Sequence, residues 1–193
     1  MFDFSRENRS LLASWWRNID KTILSLILLL FFLGLFFSFS STSSLIGEKL
    51  NKESYFFFLK HFVFVGIALI IIFFVSLQKR EIIKAYLPYF FLISLLILFL
   101  VPFIGTEVRG AKRWLDIPLL PRFQPIEILK PFFILILAQI ISSQIIHNLY
   151  KKYFYTLVVL SVVLFLLIIQ PDLGQSVLLF SSWLIMLFSS GIN

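Results

Sequence analysis

Cysteine is absent from this 193-residue chain, so no disulfide framework and no thiolate metal site can form. Histidine is nearly absent too; His61 and His147 lie far apart in sequence, which leaves little basis for an imidazole metal site. Charge is scarce: only 14% of residues are Asp, Glu, Lys or Arg, against about 25% in a typical soluble domain. In its place stand 25 phenylalanines, 60% hydrophobic residues and a mean hydropathy of +0.97, a composition that excludes an ordinary soluble domain and points to an integral membrane protein. The net charge of +7 is no argument for nucleic acid as a partner. In a polytopic protein, juxtamembrane Lys and Arg answer to topology and anionic lipid.

Residues 1 to 22 mix Arg6, Arg9, Arg17 and Lys21 with Asp3, Glu7 and Asp20. The apolar run that follows is too long for a cleaved leader and has no small-residue cleavage pattern. Apolar runs cover residues 23 to 39, 56 to 77, 85 to 104, 125 to 146, 153 to 169 and 176 to 192, which predicts an all-α, polytopic transmembrane helical bundle of about six spans. The organisation expected is a cytoplasmic segment over 1–22 and a transmembrane domain over 23–193, with an outer loop at 105–123. The Phe-rich runs and the Lys60–His61 pair read as lipid-facing or interfacial surface.

Lys and Arg in the short loops set the orientation. With a cytoplasmic N-terminus, that side carries nine (Arg6, Arg9, Arg17, Lys21, Lys79, Arg80, Lys84, Lys151, Lys152) and the outer side six (Lys49, Lys52, Arg109, Lys112, Arg113, Arg122). Four of those six fall in the 105–123 loop, against the usual rule, which suggests either an anionic ligand there or headgroup anchoring with Trp114.

The stretch from Gly110 to Pro131 holds most of the chain's polar information. Gln124-Pro125-Ile126-Glu127 and Gln170-Pro171-Asp172-Leu173 share a helix-start pattern, with Pro suited to the first helical position and an acid to the first turn. Glu127 and Asp172 therefore have a bland reading as macrodipole and capping residues. Three features go beyond it. Glu127 and Lys130 share a helix face; Pro131 cannot donate to the Glu127 carbonyl and should kink the span; and a carbonyl freed in lipid must find a donor. Gln175 can hydrogen-bond across helices and Gly174 suits close packing.

GAKRWL at 110–115, QPIEILKP at 124–131 and QPDLGQ at 170–175, in that order and each beside an apolar span, resemble the SEDS family (FtsW/RodA/SpoVE) of polytopic cell-wall proteins over nearly the whole chain. NRSLLASWWRNIDK at 8–21 and GTEVRGAKRWL at 105–115 are most similar to its FtsW-type cell-division branch as found in alphaproteobacteria, with the RodA-type elongation branch second. Ile126 departs from a motif in which the family usually shows Ser.

The resemblance implies a multi-pass protein of the bacterial inner membrane that polymerises lipid II into glycan strands. It implies as partners a class B penicillin-binding protein and other divisome membrane proteins, and no nucleic acid. It also implies about ten spans and a catalytic aspartate in a large outer loop after the seventh; neither has a counterpart before Asn193, so the chain is expected to be an N-terminal part, inactive alone. Arg109, Lys112, Arg113 and Lys130 are the cations expected at the pyrophosphate. Gln124, Glu127 and Asp172 are expected to position them or to hold a divalent cation, Mg or Mn. A lipid II flippase and a non-catalytic membrane scaffold are the rival classes.

Overall fold

The computed structural model describes residues 11–41, 55–108, 110–116 and 122–191, and divides the chain into two compact units, Met1–Lys79 and Arg80–Asn193. The first holds α1 (Leu11–Asn18), α2 (Lys21–Ser41) and α3 (Phe56–Ser76). The second holds α4 (Arg80–Ile104), a hairpin of β1 (Thr106–Val108) and β2 (Ala111–Trp114), then α5 (Pro125–Ile141), α6 (Leu149–Ile169) and α7 (Leu173–Ser189).

In the first unit Asp20 sets where α2 begins: its Oδ1 accepts from the amides of Thr22 at 2.8 Å and Ile23 at 3.1 Å, satisfying two of the free donors of a helix start. The helix α1 was not anticipated within the polar N-terminal segment. It is tied to the end of α3, where Trp15 donates its indole N–H to the Ser76 hydroxyl at 2.7 Å and sits edge-on to Phe73. Lys21 lies 5.4 Å from the centre of the Trp16 ring, a cation–π contact at a helix end. His61 packs against Gly34, where a Cβ would lie 3.4 Å from the imidazole, so α2 approaches α3 closely at this point. Most large apolar side chains of α2 and α3 point outward, as lipid-facing helices require.

The second unit has a core. Ile126, Leu129, Phe133 and Leu137 recur at helical spacing and put one face of α5 out of reach of solvent. Against it lie Phe91 and Leu98 of α4, Leu160, Val163 and Leu167 of α6, and Leu179 of α7. Ile126 is wholly buried here, so the departure from Ser adds to the core and brings no hydroxyl to Glu127.

Four helices (α2, α3, α4 and α6) are long and apolar enough to cross a membrane; α5 and α7 are 17-residue apolar helices. The bundle is all-α and polytopic, as expected, but its helix ends differ. Arg80 to Lys84 is helical, not loop, so α4 runs for 25 residues, about 37 Å at 1.5 Å per residue. Helix α5 stops at Ile141, short of 146, because the Lys152 ammonium caps the Ile141 carbonyl at 2.9 Å. Asn148 starts α6 by accepting from the amides of Tyr150 and Lys151, which makes most of the supposed basic turn helical.

Candidate functional site

The chain reverses from α4 to α5 through the hairpin. Thr106, Glu107 and Val108 pair with Trp114, Lys112 and Ala111, with an irregularity after Thr106, and Gly110 takes φ +78° in the turn. Leu115 and Phe123 then exchange two backbone hydrogen bonds, at 2.9 and 3.2 Å, closing the base of the loop. Gly105 hinges helix to strand. A Cβ there would collide with the Val101 carbonyl, to which the Gly105 amide already donates at 2.7 Å.

From this platform Arg113 reaches the turn between α6 and α7. Its Nε donates to the Gln170 carbonyl at 3.1 Å, one terminal nitrogen donates to the Pro171 carbonyl, and the other stands 3.9 Å from Asp172 Oδ1. Asp172 Oδ2 accepts from the Gln124 amide at 2.7 Å. The carboxylate side chain is only 7% exposed, so its charge is answered by the guanidinium and the amide, not by water. Three segments distant in sequence, β2, the start of α5 and the α6–α7 turn, are thereby tied together.

Asp172 does not cap α7 with its side chain, although it holds the N-cap position; nor does Gln124 cap α5. Pro125 is the first residue of α5, as expected, whereas Pro171 lies in the turn and α7 starts at Leu173. The turn itself ends α6, through Asp172 N–H to the Leu167 carbonyl at 2.9 Å. The capping reading of Asp172 is thus replaced by a bonded, buried role.

Sequence reasoning left Gln170 out of the site. It is 2% exposed and donates its amide to the Leu98 carbonyl at 2.9 Å. The reason is Pro102, four residues on, which has no N–H to offer that carbonyl. The same device recurs at the other end of α4: Pro88 frees the Lys84 carbonyl, and Gln139 donates to it at 3.4 Å. Prolines in the apolar run were the legible signal for both glutamines.

A second pair lies on α5. Lys130 Nζ is 2.6 Å from Glu127 Oε2, and Gln175 of α7 donates to Glu127 Oε1 at 3.0 Å. The expected Glu127–Lys130 face and the cross-helix role of Gln175 are both present. Among the described residues, no side chain donates to the Glu127 carbonyl that Pro131 frees.

The expected cations therefore divide. Arg113 donates to two carbonyls beside Asp172, Lys130 is paired with Glu127, and Arg122 is paired with Asp116 at 2.6 Å. Lys112 is exposed, makes no ion pair among the described residues, and with Glu107, Gly110 and Pro171 borders a polar open cavity of about 240 Å3. Arg109 lies outside the described residues. The carboxylates do not fit a divalent cation: both oxygens of Asp172 and both of Glu127 face N–H donors, and no cluster of three His, Asp or Glu occurs among the described residues.

Known proteins agree with this architecture. Residues 20–193 match the FtsW–RodA–SpoVE family, described as Cell cycle protein. A probable peptidoglycan glycosyltransferase FtsW of Escherichia coli O6:H1 is 32% identical over 174 residues, covering 89% of this chain and 42% of that protein. The peptidoglycan glycosyltransferase MrdB of E. coli K12 is 28% identical, covering 91% and 45%. The rod shape determining protein RodA of Thermus thermophilus, a solved structure, superposes with a TM-score of 0.64 at 26% identity over 83% of this chain and 54% of that one. A peptidoglycan synthase complex superposes at 0.62, with 26% identity over 82% and 47%. The chain spans somewhat under half the length of the curated relatives it matches. With the family matched from residue 20 to residue 193 and the helical fold shared, this multi-pass membrane chain belongs to the FtsW–RodA–SpoVE family of cell cycle proteins.

Proposed function

We propose that this chain forms the part of a peptidoglycan glycosyltransferase that holds the pyrophosphate of lipid II, the undecaprenyl-pyrophosphate-linked disaccharide peptide, at the outer face of the bacterial inner membrane. Glycan polymerisation needs a base for the incoming sugar hydroxyl and cations for the departing pyrophosphate. This chain supplies the second. One observation carries the reading: the buried Asp172, bonded to Gln124 and beside Arg113, fixes a hairpin in which the residue before Arg113, Lys112, makes no ion pair among the described residues and borders a polar cavity. Lys112 is the phosphate contact; Arg113, Gln124 and Asp172 are positioning residues. The names of the relatives support the chemistry.

A crosslinking class B penicillin-binding protein is the proposed partner, supported by the likeness to a synthase complex that coordinates polymerization and crosslinking. The N-terminus is placed in the cytoplasm by the charge bias of the short loops. A flippase path gains no support from the buried span hydroxyls: Ser94 bonds a carbonyl of its own helix, and Thr156 bonds the Tyr153 carbonyl and accepts from the Trp183 indole of α7, so both are engaged with protein. The test is equilibrium binding of fluorescent lipid II, and of undecaprenol without pyrophosphate, to the chain in phosphatidylcholine nanodiscs. Tighter binding of lipid II is expected; equal binding of the two overturns the reading.

A further inference from the structure

The opposite end of the α4–α5 pair, about 36 Å along α4 from the hairpin, holds an open cavity of about 280 Å3. Its floor is apolar, made of Leu87 on α4 and Leu135 and Ala138 on α5. At its rim stand Arg80 and Lys84, one helical turn apart and so on one face of α4. Neither has an ion-pair partner among the described residues; Glu81, in the same turn, is paired with neither. Ile83, Gln139 and Ser142 complete the lining.

The Gln139 amide cannot be turned round. Its Nε2 faces the Lys84 carbonyl, an acceptor that Pro88 has stripped of its helical donor, so the nitrogen must occupy that side. Oε1 is left over. It is buried and has no hydrogen-bond partner, the one such side-chain atom among the described residues. That oxygen is closed to a ligand, and what the cavity presents is an apolar trough and two cations with no ion-pair partner among the described residues.

We infer that this cavity binds an anionic phospholipid: an acyl chain lies along Leu87, Leu135 and Ala138, and the phosphate meets Arg80 and Lys84. Basic pockets between helices at the cytoplasmic side are suited to anionic headgroups, and the proposed topology puts this end in that leaflet. A zwitterionic choline lipid does not match the net charge. The inference does not rest on the glycosyltransferase reading, because it involves none of the hairpin residues.

Native mass spectrometry of the full chain released from detergent micelles, titrated with phosphatidylglycerol, phosphatidic acid and phosphatidylcholine of identical acyl chains, tests it. Phosphatidylglycerol and phosphatidic acid are both expected to bind more tightly than phosphatidylcholine. The double variant Arg80→Gln, Lys84→Gln should lose roughly tenfold or more in phosphatidylglycerol affinity, at about one charge contact each. Lys151→Gln, which removes an exposed charge outside this cavity, should leave binding unchanged. Equal binding of the three lipids, an unaffected double variant, or an equal loss in Lys151→Gln overturns the site. Displacement of the lipid by millimolar glycerol 3-phosphate would reassign it to a soluble phosphate and overturn the lipid.

Discussion

Pro102 removes one amide proton from α4, and Gln170 returns a donor to the carbonyl that lost it. In lipid such a repair is required, since no water reaches the helix backbone there. Gln170→Leu should lower the stability of the detergent-solubilised chain by about 1 to 3 kcal/mol, the cost of an unsatisfied buried polar group. In a Pro102→Ala background, where the helical N–H is restored, the same change should cost measurably less; equal costs in both backgrounds would sever the link between the two residues. Gly105→Ala should destabilise by about 1 to 3 kcal/mol, because the added methyl meets the Val101 carbonyl, which cannot move without breaking its bond to the Gly105 amide. At this scale the Glu127–Lys130 pair was legible from spacing, while the cations and carboxylates were assigned to the pyrophosphate through the family resemblance. It did not show that Arg113 would spend its donors on the 170–172 turn, since that depends on how a hairpin folds back over residues some 60 positions later.

The hairpin is the element that Arg113 fastens. A planar guanidinium answers two carbonyls and a carboxylate at once, which a single ammonium cannot do. Arg113→Ala should cost about 2 to 3 kcal/mol in thermal unfolding, as Asp172 is left buried with only the Gln124 amide. Arg113→Lys should recover only part of that loss. Full recovery would show that charge alone, not the fork of donors, holds the hairpin. Helices as elements were legible from hydropathy, but their ends were not. Residues 78–84 and 148–152 are basic and were read as loops; helices begin inside them, at Arg80 and Leu149, because long cationic side chains reach the interface while their backbone stays helical. The 105–123 loop was recognised as polar, whereas its strand pairing rests on seven residues too short to carry a period-two signal.

At the scale of the whole molecule, composition alone established the membrane class, and three ordered motifs pointed to the family that the comparisons show. The span count was less secure. Two of the six helices have only 17 residues, about 25 Å each, and a local bilayer adjusts to such helices by thinning. The account's central claim is a division of labour in the outer cluster: Lys112 contacts the ligand's phosphate, and Arg113 holds the platform. The measurement that separates these roles is lipid II affinity read beside melting temperature for Lys112→Ala and Arg113→Ala in the reconstituted chain. The account predicts that Lys112→Ala weakens lipid II binding by roughly fivefold, at about one charge contact, with an unchanged melting temperature, while Arg113→Ala lowers both. Lipid II binding that is indifferent to Lys112→Ala would contradict it.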